Sequence, residues 1–72
     1  MDALPPLDFA RLWHATLLSR RRAYIEEVRF LKRVMSQFRE QDRMHASRLI
    51  DATMQFIRTV EDLTGCRVWD GV

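Results

Sequence analysis

One cysteine, two glycines and two prolines are all the punctuation in this chain of 72 residues. Each scarcity excludes something. With Cys66 alone, no internal disulfide can staple the fold, and no pair of cysteines has zinc spacing. The prolines are Pro5 and Pro6 and the glycines Gly65 and Gly71, so residues 7–64 hold no strong helix breaker. No apolar run approaches the roughly 20 residues that a membrane-spanning helix needs. The opening MDALPPLDF lacks the basic stretch and long apolar stretch of a secretory signal, so a protein of the reducing cytoplasm is expected. Gly-rich phosphate loops, nucleophile elbows and paired metal motifs are also missing, which argues against an enzyme and against a cofactor.

What the chain does have is apolar and charged residues in quantity. Hydrophobic residues make up 47% and charged residues 31%, too apolar for a disordered tail and too charged for a membrane span. Net charge is +2 but unevenly spread: residues 9–39 hold eight basic and two acidic side chains, and residues 40–72 four basic and six acidic. Eleven of the twelve basic residues are arginine. Such asymmetry can draw two helices of one fold together or attract an acidic partner.

Helix formers dominate residues 8–64, and the expectation is an all-α fold. Asp8 is placed to cap a first helix by accepting the Arg11 amide, with Leu7 and Leu12 as a hydrophobic staple. Tyr24, Val28, Leu31, Met35 and Phe38 then follow in steps of four and three, a heptad seam. Extended upstream, the seam passes through Arg21, Leu17 and Trp13, so an arginine stands where an apolar residue belongs. Ala46, Leu49, Thr53, Phe56, Val60 and Leu63 form a second seam, broadened by Ile50 and Ile57. Gly65 stands at the C′ position that ends such a helix.

Between the seams lies FREQDRMHAS, residues 38–47, with neither Gly nor Pro. A continuous helix would bury Asp42 and His45, and it would span roughly 80 Å. A turn near residues 40–44 is expected instead, with Asp42 or Ser47 as the next cap. The domain plan is an extension over 1–7, an antiparallel two-helix hairpin over 8–64 and a loop-like tail over 65–72 anchored by Trp69. The first helix would be long and the second shorter, roughly 48 Å and 32 Å. A hairpin encloses little core, so a second copy is expected to complete a four-helix bundle. Its core would be Tyr24, Val28, Leu31, Met35, Phe38, Leu49, Phe56, Ile57, Val60 and Leu63.

The stretch LIDATMQFIRTVEDL is similar to the second helix of helix-loop-helix dimerisation domains, through Leu49, Ile50, Phe56, Ile57, Val60 and Leu63. The first helix departs from that pattern and lacks the proline that usually closes it. The likeness implies dimerising helices and nothing narrower.

Arg20, Arg21 and Arg22 suit phosphate contact. The residues just upstream, FARLWHATLL, are apolar rather than basic, and Glu26 and Glu27 follow within helical pairing distance of Arg22 and Arg29. A charge cluster facing solvent, another subunit or an acidic protein fits better than nucleic acid. Asp42 and His45 share a helical face without further metal ligands nearby. Cys66 follows a helix C-terminus, whose negative end disfavours a reactive thiolate. The expected function is therefore non-enzymatic: an adaptor, chaperone-like factor or inhibitor that dimerises and docks on a larger, acidic protein. Docking would use Trp13, Leu17, Arg20, Arg21, Arg22 and Phe30, since aromatics and arginine dominate binding hot spots. The alternative is a nucleic-acid-binding regulator using Arg20–Arg22 with Arg29 and Arg33. An enzyme would need a small molecule bound in the bundle near Arg21.

Overall fold

The computed structural model describes residues 8–72. Two α-helices, α1 (Phe9–Val34) and α2 (Glu40–Thr64), pack against each other as a hairpin. No strand occurs among the described residues. Nor is any helix there long and apolar enough to cross a membrane. The capping expected of Asp8 is present, its Oδ1 accepting the Arg11 amide at 3.1 Å. Leu7, the other half of the expected staple, lies outside the described residues. Gly65 ends α2 in the left-handed region at φ 68°, and its N–H donates to the Glu61 carbonyl at 2.8 Å.

The turn lies earlier than residues 40–44. Helix α1 stops at Val34, a single 3₁₀ turn covers Met35–Gln37, and Phe38 and Arg39 are extended. Asp42 and Ser47 cap nothing, because α2 has already begun at Glu40. The physical reason is visible in the charges. Lys32 and Arg33 occupy the last turn of α1 and Glu40 and Asp42 the first turn of α2, each favourable to the local helix dipole. Phe38 therefore belongs to the connection, not to the seam of α1.

Moving the turn changes the proportions. The helices have 26 and 25 residues, about 39 Å and 38 Å, rather than being unequal. Helix α2 reaches back far enough for Leu63 to line a depression with Phe9, Trp13 and Leu17. With Tyr24 against Phe56, Thr64 comes level with Thr16, and residues 9–15 of α1, all exposed, extend beyond the end of α2. The core consists of Ile25, Val28, Ile50, Ile57 and Trp69, with Tyr24, Leu31, Met35 and Met54 packed against it. Trp69 reaches that core because residues 65–72, free of regular structure, fold back over one flank of the hairpin.

Candidate interaction surface

On α1, Leu18, Arg21, Ile25, Arg29 and Lys32 share one flank, at steps of three and four. Trp13, Arg20, Tyr24, Glu27 and Leu31 share the other. On α2, Met54, Arg58 and Glu61 lie towards the first flank, and Leu49, Thr53, Phe56 and Leu63 towards the second. The tail covers the first flank and leaves the second open.

The closed flank is organised by one carboxylate. Glu61 is 2% exposed, the only charged residue buried among those described. Its Oε2 accepts from Arg21 Nε at 3.0 Å, from Arg21 Nη2 at 2.8 Å and from the Trp69 amide at 2.7 Å. Its Oε1 accepts from Arg58 Nη1 at 2.6 Å. Arg21 also donates to the Arg67 carbonyl at 2.9 Å. One side chain thus ties α1, α2 and the tail together. Burial pushes the Glu61 carboxyl up, but the Trp69 amide and the two guanidinium groups outweigh it and hold its pKa below the ordinary value.

Trp69 is clamped from both ends. Its indole N–H donates to the Val72 carbonyl at 3.1 Å, and the same oxygen accepts from Arg29 Nε and Nη2 at 3.2 and 3.1 Å. Lys32 Nζ donates to the Gly71 carbonyl at 3.0 Å. The Arg29 and Lys32 cations stand 5.7 and 6.0 Å from the indole centroid, within cation–π range. No buried side-chain polar atom is left without a partner among the described residues.

The open flank is apolar and unfilled. Tyr24 and Phe56 meet edge to face across the two helices, with centroids 4.8 Å apart. Towards the turn, Phe30, Leu31 and Leu49 line an open depression of about 440 Å³. Towards the other end, Trp13 stacks on Phe9 with centroids 6.3 Å apart, beside Leu63. Leu63 is 69% exposed, Leu49 55% and Trp13 45%.

Apart from Phe38, which lies in the connection, the expected dimer core divides into three groups. Val28, Ile57 and Val60 are sealed within the protomer and have nothing left for a partner. Leu49, Phe56 and Leu63 are open, and Tyr24, Leu31 and Met35 are half-buried. The expected docking residues divide too. Trp13 and Phe30 are exposed, but Leu17 is buried in the protomer, and Arg21 is held by Glu61. Successive residues on a helix point about 100° apart. Arg20 therefore faces the open flank, whereas Arg21 and Arg22 line one depression on the tail side with Arg29 and Trp69. The triplet is thus split, with Arg20 apart from the other two. Asp42 and His45 are both exposed on α2. Sequence reasoning missed Glu61 altogether. The only clue was its counterpart, Arg21, standing on an apolar seam.

No family model matches the chain, no curated protein aligns with it significantly, and no solved structure resembles it significantly.

Proposed function

We propose that this chain is a non-enzymatic protein–protein interaction module of the cytoplasm, one that self-associates and docks on a larger protein as an adaptor, chaperone-like factor or inhibitor. The observation that carries this reading is the open flank. The tail covers one side of the hairpin with a fitted tryptophan, whereas the other side leaves Trp13, Leu49, Phe56 and Leu63 exposed and Tyr24 and Leu31 half-buried. Contiguous exposed apolar surface of this kind marks interaction sites. The outward edge of α1, with Leu12 and Phe30 exposed, adds surface for a second, larger protein. Arg20 lies on a different flank from Arg21 and Arg22, and Arg21 is already paired with the buried Glu61, which favours this reading over phosphate contact by the triplet.

The test compares the purified, tagged chain with a Leu49→Asp, Leu63→Asp variant. Both side chains are exposed, so helicity by circular dichroism should persist. The variant should lose every stoichiometric companion, whether a second copy or another protein. A wild-type chain that stays a lone monomer at about 100 μM, where even a micromolar interface would be filled, and that recovers no companion from cells, overturns the reading.

A further inference from the structure

The open flank is close to self-complementary, and the geometry points to its occupant: we infer that a second copy of this chain packs on it antiparallel, α1 on α1 and α2 on α2, about a twofold axis through the Tyr24–Phe56 pair. The inference rests on the interaction-module reading and specifies its self-association.

Three placements carry it. Tyr24 and Phe56 touch, so they lie level on the two helices. Leu49 and Leu63 stand seven residues to either side of Phe56, two helical turns or about 10.5 Å each way. A twofold at that level therefore sets Leu49 of one copy against Leu63 of the other, twice. On α1, Arg20 and Glu27 stand four residues before Tyr24 and three after it. The same axis sets Arg20 of one copy against Glu27 of the other, again twice. Both side chains are exposed, and neither makes an ion pair among the described residues. An isologous interface needs such matching about its own centre.

The area required is modest. A standard interface takes about 800 Å² per partner, roughly an eighth of the 6184 Å² accessible on this chain. The hairpin is only 15 Å through its thin dimension. Stacking two such layers encloses the Tyr24–Phe56 pairs in the middle of a four-helix bundle and leaves both tails on the outside. The ion pairs flank the apolar centre and fix its register, since a shift by one helical turn separates Arg20 from the partner's Glu27.

The experiment uses the full chain and sedimentation equilibrium. Wild type should behave as twice its 8.6 kDa mass. Arg20→Glu alone sets acid against acid, and Glu27→Arg alone sets base against base. Each should weaken the homodimer by roughly tenfold at low salt, with less effect at high salt. Mixing the two variants restores both pairs, so a 1:1 heterodimer should form at near-wild-type affinity. The doubly swapped chain should also dimerise like wild type.

A dimer that ignores both single substitutions, or a mixture without preference for the heterodimer, overturns this twofold while leaving the interaction-module reading intact. A monomeric wild type overturns the second copy as occupant. The capture test above then decides that reading by itself.

Discussion

Glu61 is the residue on which the closed flank depends. It accepts from two guanidinium groups and an amide, and both its oxygens are used. Glu61→Gln keeps a possible acceptor for the Trp69 amide but leaves Arg21 and Arg58 without their anion. Breaking a fully buried pair costs about 3–5 kcal/mol. Here both arginines keep some access to water, so the loss expected in urea denaturation is about 2–3 kcal/mol. The pH dependence has a definite sign. The folded carboxyl has a pKa below its ordinary value of 4.5. Its stabilisation is complete above that value and is lost as pH falls through the lower, folded value. Acid titration followed by circular dichroism should show this step in wild type and a smaller one in Glu61→Gln. Trp69→Ala removes the tail's buried anchor and should cost about 3–5 kcal/mol. A loss below about 1 kcal/mol would mean that the tail is not part of the folded unit.

At the scale of elements, both helices, their antiparallel course and the Gly65 stop were legible in the sequence. Apolar periodicity and a lone glycine after it are local signals. The turn lies some five residues before the expected 40–44, because the chain bends without a Gly, a Pro or a capping side chain to mark the place. Phe38 continues the four-three spacing of α1 by coincidence, and α2 starts without a capping side chain. Arg39 stands at its N-cap with extended geometry, φ −62° and ψ 156°, and no side-chain bond. The charges at Lys32, Arg33, Glu40 and Asp42 were the readable clue. Arg39→Ser should therefore supply the missing cap and raise stability by about 0.5–1 kcal/mol, measured by thermal or urea unfolding. Gly65→Ala should do the opposite. Space is open around it, so the cost is left-handed strain alone, about 1–2 kcal/mol. The Glu61 cluster was illegible for a different reason. Arg21 and Glu61 are 40 residues apart, and their meeting depends on the register of the whole hairpin, which a misplaced turn shifts.

At the scale of the whole molecule, a slab of 60 × 27 × 15 Å has two broad faces, and its own sequence supplies cover for one. The expected list of core residues mixed two populations because periodicity marks every apolar position on a helix and does not say which neighbour covers it. Val28 and Ile57 face the other helix, and Leu49 and Leu63 face away from both the tail and the core. If dimerisation completes the second face, unfolding is coupled to dissociation. The melting temperature of the wild-type chain should then rise with protein concentration, and that of Leu49→Asp, Leu63→Asp should not.

Two indole rings, one sealed and one open, also make the molecule its own optical probe. Trp69 sits under the tail beside two cations, whereas Trp13 stands in water on the opposite flank. A Trp13→Phe chain emits only from beneath the tail and follows its release. A Trp69→Phe chain emits only from the uncovered side and changes colour when something settles there. The two events that matter to this molecule can be watched separately, without attaching a dye.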